Sequence, residues 1–410
     1  MSPERATGTH VVSKGYMIFL VILMGLVSQM DSWLSLIETK AVPGVLASFG
    51  ISAGEFAFKQ GIFGIIVFGV FFIAWFADAF GRKRGMMALV LVMGVPAILI
   101  VFLSSSVHVF LLLYSFIIMG TTSNLWEVPI AEVAPAKRRG LNGSIAFLIG
   151  VVPLYAIIGI RIIDTYGWRW GYGAMFFFMV LLLILLSFMK ESRRWKDVAE
   201  SRGNKRLGVI AALKKLRRQD AKYIVVATVV YLAWTIAFKM ATTFGGIYFV
   251  NVLNYSDSQF NAILTIAGLL LPVSAIISGV LLDKVGRTFV LIVGSVGSLA
   301  CFAALGLTAI PVFYQGIYFF MAMVLAWIYV YLAEIFTTQV RATSIGVCVT
   351  GARLGYVVGP LLASLLTSRF PSMRGFWIIC GALMLVPLLT LLAKPLETRG
   401  KTLEDIEVQR

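Results

Sequence analysis

Charge is what this sequence has least of. Aspartate, glutamate, lysine and arginine make up 13% of its 410 residues, against 60% hydrophobic residues. A water-soluble domain carries about 25% charged and about 45–50% apolar residues. Half the usual charge cannot cover a protein of this size against water, so lipid is part of its solvent. Histidine is almost missing: only His10, in the N-terminal tail, and His108, at the end of an apolar run. There is no HExxH, no Cys/His pairing and no glycine-rich phosphate loop, which argues against an enzyme and against a resident cofactor. The three cysteines, Cys301, Cys348 and Cys380, sit inside apolar runs without metal-ligand spacing and read as packing residues. No metal is expected. A membrane sensor would need a sizeable output domain, and the longest polar stretch runs only from Lys190 to Lys222.

What is present is a series of long apolar runs. A helical span needs about 20 mostly apolar residues. The sequence offers twelve such runs, at 15–37, 58–78, 85–104, 108–131, 142–163 and 168–189, then 222–250, 259–282, 288–309, 312–333, 342–367 and 373–393. They are too long, and alternate too little, for barrel strands. The first run lacks a small-residue cleavage site and reads as a membrane helix rather than a removable leader. Pro129, Pro153, Pro272 and Gly359-Pro360 fall inside runs, where they predict kinks.

The formal charge is +16, and its placement explains it without nucleic acid. With the N-terminus inside, 27 of the 35 lysines and arginines fall on the inner side of the twelve crossings. That is the positive-inside bias, and it predicts both termini in the cytoplasm. Twelve of the 35 lie in the stretch Lys190 to Lys222, where 207–216 has the pattern of a short amphipathic surface helix. Short outer loops and compact termini fit a prokaryotic cytoplasmic membrane.

The two sets of six runs repeat one another. Asp78-Ala79-Phe80-Gly81-Arg82 recurs as Asp283-Lys284-Val285-Gly286-Arg287, and Glu132 with Arg139 recurs as Glu334 with Arg341. Each pair occupies the same turn of its own set. The expected architecture is all-α: a six-helix bundle at 1–190, a basic linker at 191–221, a second bundle at 222–394 and a tail at 395–410. Six helices per repeat is even, so both halves insert the same way up. Two such bundles leave a cavity between them and can rock about it. Charge is tolerable at the membrane edge and expensive at its core. Asp78, Arg82, Glu132, Arg139, Asp283, Arg287, Glu334 and Arg341 all fall at inner helix ends, where they are expected to form a latch that shuts the inner mouth in one state.

At these residues the chain resembles the major facilitator superfamily, in its branch of sugar porters and metabolite or organic-ion proton symporters. The superfamily signature stands nearly whole at 279–287 and, with Ala74 for the leading glycine, at 74–83. Glu132-Val133-Ala134-Pro135-Ala136-Lys137-Arg138-Arg139-Gly140 resembles the branch's E-x-x-P-x-x-x-R-G, and 334–341 is its twin without the proline. Glu191-Ser192-Arg193-Arg194-Trp195 is similar to P-E-S-P-R-W, and 395–404 to P-E-T-K-G-K-T-L-E. The resemblance implies twelve helices in two pseudo-symmetric bundles, a small-molecule substrate, a coupled proton and a working monomer in the bilayer. Sugar porters carry an arginine where this chain has Leu112, and Gln and Asn on helices five and seven, where 145–160 and 225–245 have neither. An organic acid is therefore expected ahead of a sugar or polyol.

Four charges lie away from the membrane edge: Asp31, Glu127, Lys239 and Arg353. Asp31 is 17 residues past Lys14 and Lys239 is 17 past Lys222, about 25 Å along a helix. Each should face the cavity, because lipid exposure costs several kcal/mol. Arg353 and Lys239 are expected to bind a substrate carboxylate, and Asp31 or Glu127 the coupling proton. In the empty carrier Asp31 is expected to pair with Lys239. Arg161 is expected to pair with Asp164 at an outer helix end, and Lys40 to lie in an outer loop. Trp126, Trp234 and Trp327 are expected to line the cavity with rings.

Overall fold

A computed structural model describes residues 13–134, 139–192, 195–196, 218–336, 341–401 and 403–409. The candidate amphipathic helix 207–216 and most of the linker lie outside the described residues, as do the side chains of Arg139 and Arg341. The described residues form helices and connecting turns, with no strand among them. In chain order these are α1 (Lys14–Leu36), α2 (Glu38–Phe49), α3 (Ala53–Phe80), α4 (Arg82–Leu103), α5 (Val107–Thr121), α6 (Glu127–Val133), α7 (Asn142–Tyr166) and α8 (Trp168–Ser187). The second half follows as α9 (Asp220–Val252), α10 (Asp257–Lys284), α11 (Arg287–Thr308), α12 (Pro311–Ile335), α13 (Ser344–Arg369), α14 (Arg374–Ala393) and α15 (Leu403–Gln409). Among the described residues eleven helices are long and apolar enough to cross a membrane. The split helix α5–α6 takes the remaining place in a twelve-helix plan.

Each half packs as its own bundle, α1 on α7 and α4 on α8 in the first, α10 and α11 on α12 in the second. The halves meet where α3 lies along α13, α2 along α9, and α7 beside α10. The core is aromatic as well as aliphatic: Tyr172, Phe110, Trp327, Trp377 and Tyr314 are all buried. Outward-facing Phe72, Phe102, Leu365 and Leu392 are more than half exposed and present an apolar surface, the pattern of a protein solvated by lipid.

Two expected boundaries move. The chain after residue 37 is not an outer loop: after a one-residue interruption at Ile37, α2 carries helix on to Phe49. Glu38 and Lys40 keep the hydropathy of this stretch low, which hides a buried helix. The run 108–131 is not continuous either. It breaks between Thr121 and Glu127, with Asn124 in the left-handed region at φ 50°. Pro129 explains the place: it has no N–H for the Leu125 carbonyl, and its ring clashes with that group. Asn is among the few residues that tolerate the left-handed turn.

The repeat reaches further than the sequence motifs suggest. Gly81 and Gly286, at φ 107° and 131°, turn the chain into α4 and α11. Each following helix is capped by a carboxylate from beyond the sixth helix of its own half. Glu191 accepts from the Arg82 N–H at 2.6 Å, and Glu397 from the N–H groups of Arg287 and Thr288 at 3.0 and 2.8 Å. An acid at a helix start satisfies free donors and meets the positive end of the dipole. Burial alone would raise the Glu397 carboxyl, but the N–H groups of Thr288 and Arg287 outweigh it and hold it below its ordinary value of 4.5. A depressed value makes the cap stabilising above that pH, and the contribution is lost as pH falls through the lowered value. Thermal melts from pH 6 downward should therefore show an acid-labile component that Glu397→Gln removes. A methyl at Gly81 would lie 2.3 Å from the Glu191 carboxylate, on a backbone conformation that costs a side-chain residue about 1–3 kcal/mol. Gly81→Ala should lower the melting midpoint, whereas Gly15→Ala, where a methyl meets open space, should leave it within error.

Candidate functional site: a central cavity closed at one end

A cavity of about 1000 Å³ lies between the two bundles. It runs from Lys239 and Thr242 in the middle of the molecule down to Asp283 and Glu334, at the end that carries the Gly81 and Gly286 turns. That end is called the terminal end below, and the opposite one the far end. The cavity is walled by residues of both bundles, including Asp31, Glu127, Trp126, Trp234, Lys239 and Arg353.

Asp31, halfway buried on α1, accepts from Ser35 at 3.2 Å. It feels the attraction of Arg353 and the repulsion of Glu127. Glu127 opens α6 and is exposed to the cavity. Arg353, 3% exposed on α13, reaches across to the N-terminal bundle and donates through Nη2 to the Thr122 carbonyl. Thr122 sits where α5 stops, so its carbonyl is one that the broken helix leaves free. A guanidinium at a helix C-terminus also meets the negative end of the dipole. The Nε of Arg353 is buried with no partner among the described residues. Trp234 stacks on Phe238 with centroids 4.9 Å apart and is fixed by its indole N–H on the Met321 carbonyl at 2.7 Å.

Lys239 does not pair with Asp31. Its ammonium lies 2.6 and 2.7 Å from the two carboxylate oxygens of Glu38 and 2.8 Å from the Tyr114 hydroxyl. Glu38 stands two helical turns beyond Asp31, level with the far end of the cavity, and so wins the contact. It also accepts from Thr243 at 2.9 Å, from Thr242 at 3.2 Å and from Tyr114. Sequence reasoning missed Glu38 because it sits where the apolar run ends. The signal that could have found it is the triplet Glu38-Thr39-Lys40 followed by Pro43, a polar patch continued by apolar residues at helical spacing.

All three residues of that triplet reach the C-terminal bundle. Thr39 Oγ1 lies 3.5 Å from the Tyr318 hydroxyl. Its carbonyl, freed because Pro43 has no N–H to donate, abuts Gly246, where a methyl would come within 2.2 Å. Lys40 bridges Asp164 of the N-terminal bundle at 3.0 Å and Asp257 of the C-terminal bundle at 2.6 Å. Asn261 donates to Asp164 at 2.8 Å. Lys40 and Asn261, not Arg161, are thus the partners recorded for Asp164, and the exposed Arg161 makes no ion pair among the described residues. These contacts close the far end.

The terminal end carries no such bridge among the described residues. Arg82 binds Asp78 and lies 2.8 Å from Glu132, all in the N-terminal bundle. Arg287 lies 2.6 Å from Glu334 and 3.6 Å from Asp283, all in the C-terminal bundle. Trp327 is also displaced from its expected place. It is 2% exposed, stacked on Tyr331 at 4.4 Å inside the C-terminal bundle, and not on the cavity wall. Its helical face points to the bundle core because α12 is packed on both sides, by α10 and α11.

The family model of the major facilitator superfamily matches residues 21–329. The chain belongs to the major facilitator superfamily. It is a multi-pass membrane transporter, not an enzyme, and its similarities fall in the sugar-porter branch. The glucose transporter GlcP of Staphylococcus epidermidis is 26% identical, over 81% of this chain and 83% of its own length. The arabinose-proton symporter of Bacillus subtilis is 24% identical, over 99% of this chain and 98% of its own. Among solved structures, the partially occluded inward-open form of the xylose transporter XylE from E. coli superposes with a TM-score of 0.74 at 18% identity, covering 95% of this chain and all of that one.

The far-end closure can be loosened on its own. Lys40→Gln leaves Asp164 and Asp257 without their common cation, at a cost of roughly 1–2 kcal/mol given their exposure. Thr39, with no exposed surface, provides the reporter. A cysteine at Thr39 should react with maleimide about tenfold faster in the Lys40→Gln background. An unchanged rate would show that Lys40 does not hold the closure.

Proposed function

We propose that this transporter is a proton-coupled symporter of a small organic acid, working by alternating access between its two bundles. The supporting observation is Arg353, anchored through one nitrogen to the Thr122 carbonyl and left with a buried, unpartnered Nε at the cavity wall. A guanidinium suits a planar carboxylate through its paired donors. In this reading Arg353 and Lys239 receive the acid, Trp126 and Trp234 flank it, and Asp31 and Glu127 carry the proton. Asp78, Arg82, Glu132, Arg139, Asp283, Arg287, Glu334 and Arg341 re-pair to shut the terminal end, which the basic excess assigns to the cytoplasm. One chain suffices, since each bundle supplies one wall of the cavity.

A monosaccharide is the second reading, and the relatives favour it: GlcP is named for glucose, and the Bacillus protein for arabinose and protons. Asn124 is the sole side-chain amide among the described residues lining the cavity, which weighs towards the acid. Both readings share proton coupling and differ in cargo. Uptake into proteoliposomes under an imposed pH gradient separates them, with lactate, succinate and benzoate set against glucose, arabinose and xylose. The acid reading expects gradient-driven uptake of at least one acid, a loss of tenfold or more in Arg353→Ala, and a flattened pH profile in Asp31→Asn. Uptake confined to sugars sinks it. Wild-type kinetics and pH dependence in both variants remove Arg353 and Asp31 from the mechanism.

A further inference from the structure

Glu38 has no part in the substrate and proton roles assigned above, yet it is the most heavily bonded acid among the described residues. Four side chains donate to its carboxylate: Lys239, Thr242 and Thr243 from α9, and Tyr114 from α5. It is 1% exposed and has no contact with the open cavity, whereas two of its donors, Lys239 and Thr242, lie on the cavity wall. The cluster is therefore a carboxylate receptor whose lower side faces the cavity and whose upper side is already filled by the protein's own acid. The ammonium sits between two rings, 5.2 Å from the centroid of Tyr114 and 5.8 Å from that of Tyr356. Both rings can stay in place while its anion changes.

We propose that Glu38 is an internal stand-in for substrate: a substrate carboxylate takes over Lys239 and Thr242 from below, and Glu38, released, takes up a proton. This rests on the acid reading of the cargo. The balance is simple. Before the exchange the site holds one ammonium and one carboxylate. Afterwards it holds the same ammonium, the substrate carboxylate and a neutral Glu38 carboxyl, so one anion and one proton enter together and the site's net charge is unchanged. An ionised Glu38 would keep the Tyr114 and Thr243 hydroxyls but no counter-charge, and burial without one favours the neutral carboxyl. The exchange is thus unfavourable unless the proton comes too. Glu38 also belongs to the triplet that closes the far end, so its release removes the ionic contact of α2 with α9. Binding of the acid below is thereby tied to opening above.

The groups facing Glu38 are compatible with its being the group that changes charge. From α5 comes Tyr114, packed edge-on against Tyr172 of α8. From α9 comes Lys239, and from α12 the hydroxyl pair Tyr314 and Tyr318, 3.2 Å apart. Tyr356 of α13 lies beside the ammonium. On its own helix, Lys40 is held by Asp164 and Asp257. Two helical turns back on α1, Asp31 lies on the cavity wall with Lys239, bonded by Ser35, and Arg353 of α13 faces the same cavity.

Proton uptake on binding is the direct test. Lactate, succinate and benzoate would be titrated calorimetrically into the full-length carrier in detergent at pH 7.5, in buffers of different ionisation heat. The wild type should take up one proton at Glu38 per acid bound, besides any taken up at Asp31 or Glu127, with affinity falling at least tenfold per pH unit on the alkaline side. Glu38→Gln, which mimics the neutral form, should take up one proton fewer than the wild type and lose the matching part of that pH slope. Carboxylate binding with the wild-type proton count in Glu38→Gln overturns the exchange alone. A wild type that binds none of the three acids overturns the exchange and the acid reading together. Thr243→Val guards against a variant that does not fold: it keeps both charges and strips one donor from Glu38 only. It should tighten acid binding severalfold with the wild-type proton count, and weaker or unchanged binding would overturn the competition.

Discussion

The ion pair between Glu38 and Lys239 is the constraint on which the rest of this structure depends. It joins the two bundles at the depth where the cavity ends, and it is the reason the cavity ends there. Both charges are buried, Lys239 with one side on the cavity wall, and each is matched by the other together with hydroxyls from Tyr114, Thr242 and Thr243. Removing one partner of such a pair costs about 3–5 kcal/mol, because the survivor is left buried and unmatched. A pair of this kind contributes little to net stability compared with apolar packing. Its value lies in specificity: it fixes which residues of α2 face which residues of α9, and so fixes the register of one bundle on the other.

The remaining geometry follows from that register. With α2 seated on α9, Lys40 is placed between Asp164 and Asp257, and Thr39 reaches Tyr318. At the other end the ionic networks close within each bundle, Arg82 on Asp78 and Glu132, Arg287 on Asp283 and Glu334. Each bundle is thereby tied within itself, and no ion pair joins the two at this end among the described residues. Caps from Glu191 and Glu397 complete each network from the segment that follows the sixth helix. The charged bridges between the bundles thus gather at the far end, with Arg353 on the Thr122 carbonyl at mid-depth, an arrangement that suits a rocking carrier.

Much of this was legible in the sequence, because hydropathy and repetition report on large physical quantities. Twelve runs, two matching halves and four intramembrane charges could be read directly, since burying a charge in lipid is expensive enough to leave a mark. The parts that stayed hidden share a cause. Glu38 and Lys40 lower the local hydropathy, so α2 looked like a loop although it is among the best-buried helices. The break at Thr122–Trp126 sits inside an apolar run, where the effect of Pro129 on its upstream neighbours decides the outcome and average hydropathy cannot register it. Trp327 obeyed the helical spacing of a cavity residue, but spacing gives a face and not its direction, and the neighbours of α12 turned that face inward. Lys239 was placed at the right depth and given the wrong partner, because a sequence offers no distance between α1 and α9.

The triplet Glu38-Thr39-Lys40 has one more consequence. Three adjacent residues on one short helix carry the charged fastening of the far end, beside the bond from Asn261 to Asp164, and that helix is separated from α1 by the single residue Ile37. A stiff rod that moves at its first residue strains the contact of its third. The triplet is therefore suited to loosen together rather than residue by residue. Concentrating the seal in one turn of helix makes the passage discrete, and a carrier that must never become a channel gains its tightness from that brevity.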